Sequence, residues 1–384
     1  MRRLIRFSWV GAPVLAILLG SVLLGQRVTG GARKGDGGQA VKAELNAPSS
    51  IAVDAKGNLY IYEGVGLDIR RIDGTTGIIT TVLEGCKEPW KKPRPIDCIP
   101  PIGALRIDPA GNLLLSEFTY NQLVKFDQSS QTLSVILGTG DLRSSGDGGP
   151  AIDAGVSVSY CLAHDGQGNM FVCDSGYRVR RVDGRTGVIS TVAGHGERGF
   201  GGDGGPALDA KFGVLVSLAV DPSGNLYVAD DTSNRIRRVD SRTGIIDTVV
   251  GAAAPAKGGS TFIPFVEFSG EGGPAAKALF NSPHSLIFNP DGNLIFTIAG
   301  RVCRVDKQGT LRTIAGNGHE GFGGDGGAAT NARIGPNGLA VDTLGNLFIT
   351  EYENNRVRRV DAKSGVITTV AGNGLPHRPL QAIE

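Results

Sequence analysis

Residues 194–199, GHGERG, have the G-x-G-x-x-G spacing of loops that bind the phosphates of a dinucleotide. A strand-like segment, STVA, comes directly before them, as such a loop requires. The next residues, FGGDGGPA, contain four glycines and a proline. They therefore cannot form the helix whose N-terminus would hold the pyrophosphate. The spacing recurs at residues 316–321, again before FGGDGG, so the sequence favours a repeated connector over a nucleotide site.

An acidic residue flanked by glycines, G-(D/E)-G-G, is the second candidate for chemistry. A calcium site needs several oxygen ligands that converge on one point, and each stretch supplies a single carboxylate. Because glycine adopts tight turns at little cost, we interpret these stretches as chain reversals. The five copies are residues 35–38, 146–149, 202–205, 270–273 and 324–327.

Acidic residues also end a strand-like segment in five places. In three of them an arginine opens the following strand, which predicts a cross-strand ion pair. These pairs are Asp174 with Arg178, Asp230 with Arg235, and Glu351 with Arg356. Glu63 and Glu117 have no arginine at that position, and we therefore treat them as candidate ligand-binding residues.

These residues belong to a unit that occurs six times. The element G-N-(L/M) begins at residues 57, 111, 168, 224, 292 and 345, at intervals of 54, 57, 56, 68 and 53 residues. Within each unit, four short segments rich in Val, Ile, Leu and Tyr alternate with turns rich in Gly, Pro, Asp and Ser. Six sets of four antiparallel strands predict an all-β, six-bladed β-propeller.

Residues 336–361, PNGLAVDTLGNLFITEYENNRVRRVD, carry the unit in its most complete form. This pattern resembles the NHL repeat, and the resemblance extends over about residues 35–373. The G-D-G-G-P-A stretches are similar to those of exported NHL proteins and of the NHL region of teneurins. The resemblance implies a propeller of the NHL type, but propellers support many unrelated activities.

In such a propeller, the first residues of the innermost strands ring the mouth of the central channel. We expect ligand-binding residues among them, because these positions differ from unit to unit: Ser49, Gly103, Tyr160, Val216, His284 and Asn337. Amidating-lyase relatives of the NHL fold gather several channel histidines around zinc, and here only His284 is so placed. Gluconolactonase-like propellers need a converging Glu, Asn and Asp, of which only Asn337 can be placed. We therefore assign no resident cofactor and no metal ligands. The sequence still allows a divalent metal in the central channel.

The sequence contains five cysteines, of which four form two candidate pairs and Cys303 is left without one. Cys86 and Cys98 bracket a Pro- and Lys-rich loop between units one and two, and we expect a disulfide there. Cys161 and Cys173 are close to opposite on two strands, so a cross-strand disulfide and two buried thiols are both compatible with the sequence. A second insertion, residues 252–269, lengthens the connection between units four and five.

The N-terminus has the features of an export signal. Three arginines precede an uncharged apolar run, so residues 1–27 are expected to be a cleaved signal peptide or a membrane anchor, the chain's only contact with a membrane. Removing them changes the formal net charge from +2 to −2, which disfavours a nucleic-acid partner. The mature chain would be periplasmic, extracellular or anchored outside the cytoplasm. We expect a lead-in segment at residues 28–47, the propeller at 48–373 and a tail at 374–384.

Together these features predict an exported binding or scaffolding propeller without an evident catalytic group. The partner would be a protein, a peptide or a cell-envelope glycan on one propeller face. The alternative is a metal-dependent hydrolase or lyase, lactonase-like or amidating-lyase-like, with its site at the central channel.

Overall fold

The computed structural model describes residues 35–86, 98–174, 177–252 and 267–375. Six antiparallel sheets of consecutive strands follow one another along the chain and form the six blades of a propeller. The predicted fold is therefore confirmed. A two-residue strand in the connector joins the outer edge of the fourth blade and gives that sheet a fifth strand.

Each blade begins with its innermost strand and ends with its outermost strand. Blades I to III comprise β1 Pro48–Val53, β2 Leu59–Glu63, β3 Ile69–Ile72 and β4 Ile79–Leu83; β5 Ile102–Ile107, β6 Leu113–Glu117, β7 Gln122–Asp127 and β8 Thr132–Leu137; β9 Val158–His164, β10 Met170–Asp174, β11 Arg178–Val182 and β12 Ile189–Ala193. Blades IV to VI comprise the connector strand β13 Gly205–Pro206 with β14 Leu215–Val220, β15 Leu226–Asp230, β16 Arg235–Val239 and β17 Ile245–Val250; β18 His284–Phe288, β19 Leu294–Ile298, β20 Arg301–Val305 and β21 Leu311–Ala315; β22 Leu339–Val341, β23 Leu347–Glu351, β24 Arg356–Val360 and β25 Ile367–Ala371.

The apolar core lies between neighbouring blades. Ile69 of blade I packs in one buried cluster with Leu105 and Val124 of blade II, and similar clusters occupy the other interfaces. Serine side chains add polar links between inner strands: Ser50 Oγ accepts from Leu105 N at 3.0 Å, and Ser217 Oγ accepts from Leu286 N at 2.8 Å. The inner strands of adjacent blades are thereby held side by side around the central axis.

The repeated Asp, Gly and Asn residues build the turns at one end of the blades. Asp54 Oδ1 accepts from the backbone amides of Lys56 and Asn58. Asn58 donates from its side chain to Asp54 and accepts from Gly74 N, so that it joins the turn after β1 to the turn after β3. Gly57 has φ +81°, a conformation that favours glycine. This arrangement explains why the motif recurs in every unit.

Residues 35–47 lie between the first and the last blade. Gly372 N donates to Ala40 O and Asn373 N to Ala43 O, each at 3.0 Å. Ala47 N donates to Asn355 Oδ1 at 2.8 Å. Each blade keeps its own four consecutive strands. The inner strand β1 contacts β22 and β23, so the ring closes by contact between blades I and VI.

Two disulfides are present. Cys86 is bonded to Cys98 with a Cα–Cα distance of 4.9 Å, and Cys161 is bonded to Cys173 across β9 and β10 with 5.4 Å. The second bond decides between the two alternatives that the sequence left open. Cys303 is a buried free thiol.

The predicted signal or anchor segment and most of the C-terminal tail lie outside the described residues, as does most of the insertion between blades IV and V. No helix within the described ranges is long and apolar enough to span a membrane.

Candidate binding face around the channel mouth

The two ends of the propeller differ in how their polar groups are used. We call the end with the turns after the first and third strands the lower face. We call the end with the interblade connectors, the loops after the second strands and the starts of the inner strands the upper face.

On the lower face, the carboxylates of the turns accept hydrogen bonds from nearby backbone amides, as Asp73 does from Thr75 and Thr76. These bonds lower the pKa of Asp73, Asp127 and Asp361 to about 2. Because the same bonds recur from blade to blade, we attribute them to folding.

The predicted mouth residues lie at or next to the starts of the inner strands. Ser49 and Asn337 are partly exposed and make backbone contacts to Thr350 of blade VI: Ser49 O accepts from Thr350 Oγ1 at 3.0 Å, and Asn337 N donates to Thr350 O at 2.9 Å. Tyr160 and His284 are partly exposed, in blades III and V. Burial raises the pKa of Tyr160, which keeps its hydroxyl a neutral hydrogen-bonding group at ordinary pH.

Tyr160 and His284 each meet a residue that sequence reasoning did not select. The Tyr160 ring lies 5.7 Å from the Phe118 ring, centroid to centroid. His284 Nε2 lies 3.5 Å from Asp231 Oδ1. Both contacts join the start of one inner strand to the loop after the second strand of the preceding blade. Phe118, Tyr160, Asp231 and His284 therefore form the variable part of the channel mouth, and we call them the mouth set.

A sequence signal for the missed residues exists. Phe118 and Asp231 directly follow the last residue of a second strand. Across the six units that position is occupied by Gly64, Phe118, Ser175, Asp231, Ala299 and Tyr352. A position that differs this much between repeats is not needed by the repeat itself, so its variation marks it as a candidate for ligand contact.

The His284–Asp231 pair has unused hydrogen-bonding capacity. His284 Nε2 and Asp231 Oδ1 are both buried atoms without a hydrogen-bond partner, while 28% of the His284 side chain is exposed. An imidazole beside a carboxylate can accept a proton or bind a polar ligand group. This pair therefore places an imidazole and a carboxylate side by side at the channel mouth.

Glu63 and Glu117 are buried, with 2% and 0% of the residue exposed. Glu63 Oε1 lies 3.5 Å from Arg70 Nη1 and accepts from Asn46 N at 3.1 Å. The sequence predicted no basic partner for Glu63 at the start of the third strand, and the structure supplies Arg70 within that strand. Burial nevertheless raises the pKa of Glu63 to about 7. Glu63 therefore lies in an ionic group inside blade I, and the structure does not bring it together with the mouth set.

That ionic group recurs in other blades. An arginine in the middle of the third strand contacts the acid at the end of the second strand: Arg180 with Asp174 at 3.3 Å, and Arg358 with Glu351 at 3.5 Å. The same arginine also contacts the aspartate of the preceding connector. Sequence reasoning considered only the arginine that opens the third strand and missed the buried one two residues later.

The connector aspartates complete the group. Asp147 Oδ1 lies 2.6 Å from Arg180, and its other oxygen accepts from Thr191 Oγ1 on the outermost strand. Each G-D-G-G connector thus fastens itself to the blade that it enters. Among the described residues, no three His, Cys, Asp or Glu side chains are arranged to hold a metal ion.

Comparison with known proteins agrees with this architecture. The family model described as Teneurin NHL domain matches residues 28–130, and the one described as NHL repeat matches residues 334–360. The chain is a six-bladed propeller that contains NHL-type repeats. Teneurin-1 of Mus musculus is 30% identical in an alignment of 231 residues, which covers 53% of this chain and 8% of teneurin-1. The NHL propeller is therefore similar to a small part of a much longer protein.

Two solved structures from Bacteroides thetaiotaomicron share the fold. One is a structural genomics protein of unknown function, with TM-score 0.60 and 16% identity over 85% of this NHL propeller chain and 72% of its own. The other is an auxiliary nutrient binding protein, with TM-score 0.57 and 16% identity over 85% and 70% of the two chains. At this level of identity they show the fold and nothing further.

Proposed function

We propose that this NHL propeller is an exported binding scaffold whose ligand contacts the upper face around the mouth set. The observation that carries the proposal is the contrast between the two faces. Lower-face polar groups repeat and are bonded to the chain itself, whereas Phe118, Tyr160, Asp231 and His284 differ from their counterparts in other blades. Residues that the repeat does not need, at the mouth of a channel, are available for recognition.

The chemistry of the mouth set favours a peptide or a glycan as ligand. Partly buried aromatic rings offer apolar surface to a side chain or to a sugar ring, and the Tyr160 hydroxyl adds a polar contact. Asp231 and His284 can bind hydroxyl or amide groups. The proposed partner is therefore a protein, a peptide or a cell-envelope glycan, as the sequence also predicted.

Three observations support a location outside the cytoplasm. Two disulfides form readily only in an oxidising compartment, the sequence is similar to teneurins, and residues 1–27 have the pattern of an export signal. Alkaline phosphatase fused after residue 384 should be active in a bacterial host, and deletion of residues 1–27 should abolish its activity. Activity that survives the deletion would contradict export by this segment.

One observation favours a second function. The imidazole and carboxylate of His284 and Asp231 could assist a hydrolase or lyase reaction at the channel, with a divalent metal held by further residues such as Asn337. Metal analysis of the purified protein separates the two functions. The binding scaffold predicts no stoichiometric metal and no effect of chelator on ligand binding, and a bound metal with turnover of a lactone or a peptide would favour the enzyme.

The proposed binding is tested on arrays of peptides and bacterial glycans probed with the purified propeller. We expect a reproducible class of bound peptides or glycans. An array without any bound class would contradict the proposal.

A further inference from the structure

The third strands of four blades carry one arginine that fills a defined space. Its neighbour on the outermost strand is a threonine in the same register each time, and its guanidinium reaches the connector acid. The four arginines and their threonine neighbours are Arg70 and Thr81, Arg180 and Thr191, Arg237 and Thr248, and Arg358 and Thr369. All four arginine side chains are buried.

Blade IV shows what holds the guanidinium. Arg237 donates to Asp203 Oδ1 at 2.6 Å, to Gly201 O at 2.8 Å and to Lys211 O at 3.0 Å. Its guanidinium carbon lies 5.3 Å from the centre of the Phe200 ring. A carboxylate, backbone carbonyls and an aromatic ring therefore surround the group, and these are the partners that a planar cation prefers.

Blade V keeps most of these partners and lacks the arginine. Cys303 occupies the arginine position, opposite Thr313 in the register. Glu271 takes the place of Asp203, and Phe268 takes the place of Phe200 in the connector sequence FSGEGG, which aligns with FGGDGG. The carboxylate of Glu271 accepts from Thr313 N at 3.0 Å and from Thr313 Oγ1 at 2.8 Å. The connector aspartates of blades I and IV bond in the same way to the threonines of their outermost strands.

A cavity of about 410 Å³ lies beside the connector of blade V, next to the residues that correspond to the neighbours of Arg237 in blade IV. Its lining includes Phe268, Ser269, Glu271, Arg301 and Thr313. Ser269 and Glu271 are exposed, so the cavity is open to a group that arrives from outside. The cysteine side chain is too short to fill the space that an arginine occupies in four other blades.

Arg301 on the lining does not prevent a second guanidinium from binding. It is engaged already, because it donates to Asn317 O at 3.0 Å and lies 5.0 Å from the Phe268 ring centre. In blade IV, Arg235 and Arg237 share the Phe200 ring at 4.0 and 5.3 Å. Two guanidinium groups at one ring are thus an arrangement that this fold already contains.

We propose that the blade V cavity binds the guanidinium group of an arginine side chain presented by a partner polypeptide. Glu271 supplies the counter-charge, and Phe268 supplies the surface on which the planar group stacks. This inference rests on the proposed function, since it gives the chemistry of a further contact with a polypeptide partner, at the outermost strand of blade V. It also predicts selectivity, because a lysine ammonium cannot stack and bond in the plane as guanidinium does.

The test measures binding of N-acetyl-L-arginine amide to the mature protein by calorimetry or by NMR titration. Binding is expected, and N-acetyl-L-citrulline amide, which has nearly the same shape without the charge, is expected to bind at least about tenfold more weakly. Glu271→Gln should weaken arginine amide binding by about tenfold or more. Glu267→Gln, an exposed acid in the same connector that does not line the cavity, is the matched control and should leave binding unchanged.

Cys303→Arg provides an independent test, because it restores the arginine of the other blades and should abolish binding of the amide. If that variant does not fold, Glu271→Gln and Phe268→Ala still decide the matter. No binding, equal binding of citrulline amide, or full binding by Glu271→Gln would overturn the inference. The proposed function is tested separately at the mouth set, so a ligand bound there by a protein that ignores arginine amide would overturn only this inference.

Discussion

Arg237 in β16 donates to Asp203 at 2.6 Å, although Asp203 lies 34 residues earlier, in the connector that leads into the blade. The second carboxylate oxygen of Asp203 accepts from Thr248 Oγ1 on the outermost strand. One carboxylate therefore fastens the connector to both outer strands of the blade. The same 2.6 Å contact recurs in three other blades: Arg70 with Asp36, Arg180 with Asp147, and Arg358 with Asp325.

The buried arginine should contribute far more to stability than its partly exposed neighbour Arg238. Arg237→Met is expected to lower the free energy of unfolding by about 2–3 kcal/mol, because it removes the ion pair with Asp203 and the positive charge near the buried Asp230. This loss of unfolding free energy is smaller than that expected for breaking a fully buried ion pair, because the Asp203 carboxylate keeps access to water. Arg238→Met removes the partly exposed pair with Asp240 and should lower the free energy of unfolding much less. Urea unfolding measures both variants, and equal losses would contradict the role of the buried group.

Glu351 should make stability depend on pH. Burial raises its pKa from 4.5 to about 7 in the folded protein. The folded chain then binds a proton that the unfolded chain has lost, so its contribution to stability is complete below pH 4.5 and disappears as the pH rises through 7. Glu351→Gln should therefore flatten the unfolding profile between about pH 4.5 and 7. Thermal unfolding midpoints at several pH values test this, and parallel profiles of the two proteins would contradict the raised pKa.

The cysteine pairing predicts a definite thiol count. After denaturation without reductant, alkylation should modify Cys303 and leave Cys86, Cys98, Cys161 and Cys173 protected. Mass spectrometry of the purified protein gives the count directly. Three modified cysteines would contradict one of the two disulfides, and peptide mapping would identify which.

Removing the loop disulfide should have a moderate effect. Cys86→Ala combined with Cys98→Ala opens a short loop, with a sequence separation of 12 residues, and is expected to cost at most about 3 kcal/mol. Reduction of the wild-type protein should lower the unfolding midpoint in the same direction. An unchanged midpoint in the double variant would contradict a stabilising role for this bond.

The sequence predicts the architecture of this protein well because each blade repeats the same local chemistry. Asp54, Gly57 and Asn58 build a turn from residues that are close in the chain, and such turns can be predicted from the sequence alone. The hydrogen bonds of Asp203 were harder to foresee, since its partners Arg237 and Thr248 are brought to it only by the folded blade.

Only the part of the candidate site that lies at predictable positions of each blade could be predicted from the sequence. Tyr160 and His284 were selected because the starts of inner strands must ring the channel. Their partners Phe118 and Asp231 belong to the preceding blades, and only the closure of the ring brings them within contact. The cavity of blade V could not be predicted, because it is recognised from the register that Cys303 shares with the buried arginines of four other blades.

The central claim, that the upper face binds the ligand through the mouth set, is tested most directly by comparing two variants on the same peptide and glycan arrays. Phe118→Ala combined with Tyr160→Ala removes the aromatic pair of the mouth. Leu344→Ser changes a side chain that is 78% exposed on the lower face. The account predicts that the first variant loses binding by about tenfold or more and that the second binds as the wild type does. Undiminished binding by the mouth variant, or an equal loss in both folded variants, would contradict it.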